Sequence, residues 1–141
     1  RRIMADTVKV VDYYYVKSPD RPGAGAKMLA PFRKAGVSFL AVHAFPEGKG
    51  VQVDLVPANR AAFLRAARRA RLRVSAKKKA FLVQGNDRAG ALAGVLAKLA
   101  GAEINVTAVT GLCAGKRRFA LIFWVKPKDQ RRAARALGAK G

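Results

Sequence analysis

The sequence has little of what metal and redox sites need: one cysteine, Cys113, and one histidine, His43, among 141 residues. A single cysteine excludes an internal disulfide, and with a single histidine it also excludes a Cys/His metal site. No apolar run approaches the roughly 20 residues that a membrane-spanning helix needs. We therefore expect a protein without metal, cofactor or membrane segment, in a reducing cytoplasm. Arg1-Arg2-Ile3 precedes Met4, which we expect to be the natural first residue.

Acidic residues are also scarce. The chain has 29 Lys and Arg against 8 Asp and Glu, a formal net charge of +21. The few carboxylates form no pair by spacing, so they do not predict acid–base catalysis. A positive field of this size attracts polyanions, nucleic acid above all, and we expect such binding to be nonspecific. The arginines between Arg60 and Arg73 scatter over a helix and the loop after it, without one groove or interleaved aromatics. A solvated cationic surface without a partner therefore stays open as the alternative.

The residue types that carry catalysis elsewhere stand alone in this sequence. His43 lies in an apolar, strand-like stretch, and Cys113 has no histidine beside it. Gly23-Ala24-Gly25 lacks the third glycine of a dinucleotide-binding fingerprint. We therefore expect no catalytic site, and a protein that is not an enzyme.

A five-residue motif occurs twice. Asp20-Arg21-Pro22-Gly23-Ala24 recurs as Asp87-Arg88-Ala89-Gly90-Ala91, at an offset of 87 − 20 = 67 residues. The same offset matches neighbouring apolar positions: Val37, Phe39 and Ala41 with Ile104, Val106 and Ala108. A repeat of this length fits a small domain duplicated in tandem and is too long for a solenoid unit. We predict one domain at residues 1–76 and a second at residues 77–141.

Each copy alternates strand-like and helix-like stretches in the order βαββαβ, the ferredoxin-like unit. In the first copy we predict strands at 8–16, 37–45, 51–55 and 72–76, and helices at 24–35 and 57–70. In the second copy we predict strands at 80–83, 103–112 and 119–125, and helices at 90–100 and 127–137. The chain reaches Gly141 where a fourth strand would begin, so we expect the second copy to lack its last strand. The short Lys77-Lys78-Lys79 link predicts adjacent strands. We therefore expect an α+β fold whose two copies share one antiparallel sheet, with the helices on one face.

These features resemble the ACT domain family over nearly the whole chain, as two tandem copies. ACT domains carry an Asp-Arg-Pro-Gly-like turn between the first strand and helix, and a Gly-Ile-Asn-like entry to the second strand. The corresponding segments here are Ser18–Gly23 and Ala35–Ser38 in the first copy, and Gly85–Gly90 and Ala102–Asn105 in the second. Ala89 replaces the usual proline and Glu103 the usual glycine, so the first copy has the fuller pattern.

The resemblance implies a non-catalytic regulatory or sensor protein that binds an amino acid or another small metabolite. The ligand-binding residues that it implies are Asp20, Arg21, Pro22, Gly23, Gly36, Val37 and Ser38 in the first copy, and Asn86, Asp87, Gly90, Ile104 and Asn105 in the second. Glycine permits close approach to the backbone, and a helix N-terminus offers free N–H groups to a carboxylate. Asp20 or Asp87 would receive an ammonium group. The alternative is that each aspartate only caps its helix.

A basic nucleic-acid-binding protein with an RNA-recognition-like fold is the alternative function. That module shares the βαββαβ order, and Arg117–Trp124 partly matches its third-strand motif. Phe119, Leu121 and Phe123 alternate as a buried face would. Ile122 and Trp124 point the other way, where they either stack bases or cover a second sheet.

The second predicted strand is apolar on both faces. Leu40 and Val42 oppose Phe39 and Ala41. A sheet with helices on one side only has a polar second face, so we expect part of this one to be covered. The simplest cover is another copy of the chain, and we therefore expect a homodimer.

Overall fold

The computed structural model describes residues 6–141, and the expected start at Met4 lies outside them. The strands of the described residues are β1 (Thr7–Pro19), β2 (Phe39–Glu47), β3 (Gly50–Pro57), β4 (Lys78–Asn86), β5 (Val106–Gly115) and β6 (Arg118–Val125). The helices are α1 (Ala24–Lys34), α2 (Arg60–Arg69), α3 (Ala91–Gly101) and α4 (Gln130–Leu137), and a 3-10 turn at Pro127–Asp129 precedes α4. The chain thus runs βαββα twice. Pro31 lies inside α1, which continues to Lys34.

The chain divides into two compact units. One is continuous, Asp12–Lys78, and we call it the inserted unit. The other joins the described residues up to Val11 with Lys79–Gly141, and we call it the split unit. The boundary near Lys78 lies two residues from the one predicted at 76/77. The amino-terminal residues, however, group with the second repeat and not with the first.

In the inserted unit the strands lie in the order β2-β3-β1 and are antiparallel. Its core takes buried side chains from these strands and from both helices: Tyr14, Val16, Phe32, Val53, Leu55, Phe63, Ala66 and Ala67. The Phe63 ring on α2 stacks against Tyr14 of β1 and Phe32 of α1, with ring centroids 5.2 and 5.0 Å away. Because one set of alternate strand residues meets both helices, α1 and α2 cover one face of these strands.

In the split unit the order is β1-β4-β6-β5, and β6 is antiparallel to both of its neighbours β4 and β5. The core again joins alternate strand residues to two helices: Phe81, Val83, Ala91, Val95, Leu99, Ile104, Phe119, Leu121, Phe123, Val125 and Ala133. Phe81 and Phe123 stack with centroids 5.0 Å apart. The predicted burial of Phe119, Leu121 and Phe123 is confirmed.

The strand next to β4 comes from the other end of the chain. The first residues of β1 lie in the position where a fourth strand of the second copy is expected, and the Thr7 hydroxyl donates to the Gln84 carbonyl over 3.3 Å. The last residues of the chain also pair with this part of β1: Val10 N donates to the Lys140 carbonyl over 2.8 Å, and Lys140 N donates to the Val8 carbonyl over 3.0 Å. Described residues near both ends of the chain therefore build the split unit.

One predicted strand is wrong. Residues 72–76 form no strand. Ser75 N donates to the Tyr15 carbonyl over 3.0 Å, while Tyr15 N donates to the Ser75 hydroxyl and not to a backbone carbonyl. The serine side chain thus takes the place of the second ladder bond, and the ladder does not continue. Lys78 and Lys79, predicted as a link, are the first residues of β4.

The shared sheet predicted for the two copies stays a prediction, as do the tandem arrangement and the truncation. Within residues 6–141, no helix is both long and apolar enough to span a bilayer.

Candidate functional site

The two Asp-Arg-x-Gly turns adopt the same backbone geometry. Gly23 precedes α1 with φ 84°, and Gly90 precedes α3 with φ 81°, both in the left-handed region that favours glycine. Ala24 N donates to the Arg21 carbonyl over 3.3 Å, and Ala91 N donates to the Arg88 carbonyl over 3.2 Å. Neither helix has a side-chain cap hydrogen bond. The alternative that Asp20 and Asp87 cap their helices is therefore wrong, because the glycine takes the cap position.

The second turn borders an open cavity of about 560 Å³ within the split unit. Its lining comes from the turn, from α3 and from β5 and β6: Asp87, Arg88, Gly90, Ala91, Leu92, Ala93, Leu96, Gly111, Leu112, Cys113, Phe119, Ala120 and Leu121. Leu92 and Leu112, which both line the cavity, are 41 % and 56 % exposed. The walls are thus mainly apolar, and the polar groups collect at the turn.

Arg88 is held at the rim of this cavity. Its Nη1 and Nη2 donate to Asp6 Oδ1 and Oδ2 over 3.1 and 3.0 Å, and Nη1 also donates to the Asn86 carbonyl over 2.8 Å. The guanidinium lies over the Phe119 ring, 5.7 Å from its centroid. The hydrogen bond to Asp6 raises the pKa of Arg88. A side chain fixed by a two-pronged ion pair and an aromatic face loses little further freedom when a ligand arrives.

Gly85 makes the approach of Asp6 possible. A Cβ at Gly85 would lie 2.0 Å from Asp6 Oδ1 and 2.8 Å from the Phe119 ring. Any side chain there would displace Asp6 and with it the partner of Arg88. The glycine is therefore needed for close packing, since its own φ lies outside the left-handed region.

Cys113 and Asp87 face each other at the mouth of the cavity. Cys113 is an exposed free thiol that donates a hydrogen bond to the Asp87 side chain. That hydrogen bond is the main reason why the pKa of Cys113 is raised, and desolvation and the Asp87 charge raise it further. The thiol is therefore protonated at neutral pH and a weak nucleophile.

The predicted ligand-binding residues are only partly brought together. Asp87 and Gly90 line the cavity, and Asn86 lies next to its rim, where its Oδ1 accepts from Arg118 Nη1 over 3.1 Å. Ile104 is buried in the core of the split unit, and neither it nor Asn105 lines the cavity. In the inserted unit, Asp20, Arg21, Pro22 and Gly23 are all exposed.

The predicted entries to the second strands are helix ends. Gly36 N donates to Arg33 O over 3.1 Å and Val37 N to Phe32 O over 2.9 Å; Glu103 N and Ile104 N repeat this with Ala100 O and Leu99 O, both over 2.9 Å. This hydrogen-bond pattern is the Schellman motif, in which the second residue also packs against the helix. Val37 and Ile104 do so in their respective cores. Gly36, Val37 and Ile104 thus have a structural role in ending α1 and α3. The Ser38 carbonyl instead accepts from Ala58 N over 2.9 Å.

Sequence reasoning missed the apolar walls of the cavity. Leu92, Leu96 and Leu112 follow no motif, and they meet only because β5 and β6 fold back beside α3. In the structure, half-buried and exposed residues alternate along β5 up to Thr110, and every residue from Gly111 onward is exposed. No sequence signal pointed to these walls.

The face that an RNA-recognition module would use for base stacking is closed in this protein. Ile122 and Trp124 are each only 7 % exposed. Bases stack on aromatic rings that stand exposed on the strands, so neither residue is available for it. Within residues 6–141, moreover, no three His, Cys, Asp or Glu side chains gather as a metal site requires.

No protein-family model matches the chain, and no curated protein sequence matches it either. Solved structures do match. A protein from Bacteroides thetaiotaomicron has a TM-score of 0.71 at 11 % identity, over 92 % of this chain and 88 % of that one. The ligand-free regulatory subunit of aspartate kinase from Thermus thermophilus has a TM-score of 0.62 at 15 % identity, over 98 % and 97 %. A putative C-terminal regulatory domain of aspartate kinase from Porphyromonas gingivalis has a TM-score of 0.55 at 16 % identity, over 95 % and 94 %. At these identities the likeness shows the fold, which is ACT-like and ferredoxin-like.

Proposed function

We propose that the protein is a non-catalytic regulatory module that binds an amino acid in the cavity of the split unit. The observation that carries this proposal is the cavity itself: about 560 Å³ of open, mainly apolar space beside the turn that begins α3. Ligand sites are typically concave, mostly apolar and supplied with a few fixed polar groups, and they measure roughly 300–1,000 Å³. This cavity has each of these properties.

The polar groups at the turn suit the two charged ends of an amino acid. The first N–H groups of α3 and the positive end of its dipole favour a carboxylate. The Asp87 carboxylate favours an ammonium group. Leu92, Leu96 and Leu112 are left for the side chain of the ligand, which favours an aliphatic one. A Cβ at Gly90 would meet nothing within 4 Å, so this side of the turn is open to a ligand.

The structural neighbours support a regulatory role. Two of those described above are named regulatory subunits or domains of aspartate kinase. We carry over from them the role of a regulatory module. The 67-residue repeat and the matched glycines Gly23 and Gly90 support the finer proposal of two tandem ACT-like copies.

The proposal assigns the ligand to the second copy, although the first has the fuller motif. The test uses the equivalent position in the first copy as its control. Ala93 on α3 lines the cavity, and Ala26 on α1 is its counterpart, 93 − 26 = 67 residues earlier. Calorimetry with each of the common amino acids at millimolar concentration is expected to find a binder. Ala93→Leu fills the cavity and is expected to abolish that binding, while Ala26→Leu leaves it unchanged.

Cys113 supplies an independent readout, because it is the only cysteine of the chain and lines the cavity. A bound amino acid is expected to slow its alkylation by a small maleimide. If no amino acid gives heat or protects Cys113 in well-folded protein, the proposal fails. Loss of binding in Ala26→Leu but not in Ala93→Leu would move the site to the first copy.

We also propose that the protein forms a homodimer through β2. This strand ends the strand order of the inserted unit and carries Leu40 and Val42, 50 % and 48 % exposed. An exposed apolar edge strand is a template for pairing with another chain. Sedimentation is expected to show a dimer for the unaltered protein and a monomer for Val42→Glu. A monomeric unaltered protein would contradict this.

A further inference from the structure

The two helices of the inserted unit carry positive charge only. Their charged residues are Lys27, Arg33 and Lys34 on α1, and Arg60, Arg65, Arg68 and Arg69 on α2. All of them are exposed, and neither helix contains an Asp or Glu. No ion pair recorded within residues 6–141 involves them. Among the described residues, this surface therefore has no recorded counter-charge.

A groove runs between α1 and α2. It has a volume of about 580 Å³ and is lined by Lys27, Ala30, Pro31, Lys34, Ala35, Ala66, Arg69 and Ala70. The floor consists of small side chains, and Lys27 and Lys34 on one helix oppose Arg69 on the other. Of the scattered arginines between Arg60 and Arg73, Arg69 lines this groove, and no aromatic residue does. α1 and α2 are distant in sequence, and only their packing on one sheet face brings these charges together.

We propose that this groove and its cationic borders bind the sugar–phosphate backbone of nucleic acid. Guanidinium groups match the geometry of phosphate oxygens, ammonium groups also bind them, and arginines outnumber lysines on these helices. The alanine floor lets a backbone approach closely. An anchored partner helix or a lipid bilayer would need large apolar side chains, and the exposed ones of the described residues lie elsewhere, on β2, α3 and β5.

The proposed binding does not depend on the base sequence. Bases are read through hydrogen bonds to their edges or through stacking on aromatic rings. The groove lining contains neither an aromatic nor an amide side chain. It therefore binds phosphates alone, in contrast to the base-stacking face of an RNA-recognition module.

The test compares two triple variants that each lose three positive charges, one variant in the groove and the other on a different surface. Lys27→Gln, Lys34→Gln and Arg69→Gln together remove three charges from the groove. The matched control, Lys128→Gln, Arg131→Gln and Arg135→Gln, removes three exposed charges at and before α4 in the split unit. Affinity for a DNA duplex is measured between about 50 and 200 mM salt, with circular dichroism and melting to verify the fold of each protein.

The groove variant is expected to bind the duplex about tenfold more weakly or worse, and the slope of log affinity against log salt falls by about 0.9 for each phosphate that the variant no longer neutralises. The control variant is expected to keep nearly the full slope. Equal losses of affinity in both variants would overturn the proposal, because the net charge alone would then explain the binding. Binding of anionic vesicles or of an acidic peptide without binding of the duplex would also overturn it. Ala93→Leu is expected to leave duplex binding unchanged, so this test stands apart from that of the amino acid site.

Discussion

Gly36 and Glu103 hold the same position at the ends of α1 and α3, 103 − 36 = 67 residues apart, and both are left-handed, with φ 72° and 58°. Glycine adopts this conformation freely, whereas a side chain with a Cβ pays about 1–2 kcal/mol for it. The glycine that the ACT pattern places here thus serves to end a helix. Glu103 does the same at a cost in stability.

Glu103→Gly is therefore expected to stabilise the protein. Relief of the left-handed strain outweighs the extra chain entropy of glycine, and the net gain is about 0.5–1 kcal/mol. Urea unfolding measures it. Lys98→Gly, at an ordinary helical position of α3, is the control and is expected to lose about 1 kcal/mol. An unchanged or lower stability for Glu103→Gly would contradict the assignment of strain.

Asn59→Ala and Asp20→Ala are expected to differ. The Asn59 Oδ1 accepts from Ala62 N over 2.9 Å and caps α2, so its loss costs about 0.5–2 kcal/mol. Asp20 is exposed and caps nothing, so its replacement stays within about 0.5 kcal/mol of zero. Thermal or urea unfolding compares the two. Equal losses of stability in the two variants would show that Asp20 caps its helix as Asn59 does.

Asp54 is expected to make stability depend on pH. It is buried on β3 and accepts from Gln52 Nε2 over 3.0 Å. Burial raises its pKa above the ordinary 3.8, against the lowering effects of that hydrogen bond and of His43, Lys17 and Lys78. The folded state therefore holds the proton more tightly than the unfolded state. Its contribution is fully present below the unfolded pKa and is lost as pH rises through the folded pKa.

Asp54→Asn removes this ionisation and keeps an oxygen for Gln52. The variant is expected to gain stability over the unaltered protein as pH rises from about 3 to about 7. Urea unfolding across this range measures the difference, with the exposed Asp20→Asn as control. A difference that does not vary with pH would show that burial does not shift the titration of Asp54.

Asp87→Ala is expected to make Cys113 more reactive. The Asp87 carboxylate accepts the thiol hydrogen bond that raises the pKa of Cys113, and its removal lowers that pKa. The pH–rate profile of alkylation by iodoacetamide then shifts to lower pH. Asp20→Ala, the counterpart in the first copy, leaves the profile in place. An unshifted profile for Asp87→Ala would place the cause in desolvation alone.

The sequence alone determined the kinds of elements and much of their order. Period-two alternation identified β3 and β6, and the buried trio Phe119, Leu121 and Phe123 followed from it, because alternate residues of a strand share a face. The repeated Asp-Arg-x-Gly motif located both left-handed turns, since the conformation at Gly23 and Gly90 is a local property of glycine. The single cysteine and the single histidine also limited the catalytic and metal sites that the sequence could predict.

Tertiary structure decided what depends on residues far apart in sequence. The first residues of β1 take the place beside β4, so the predicted division at residues 76/77 does not include the amino-terminal contribution to the split unit. Strand pairing is a long-range choice made by hydrogen bonds and burial, which no local pattern encodes. The motif favoured the first copy as the site, yet the cavity lies at the second, because its volume depends on how Leu92 and Leu112 meet across α3 and β5. A pocket is a property of packing, and packing appears only once the chain is folded.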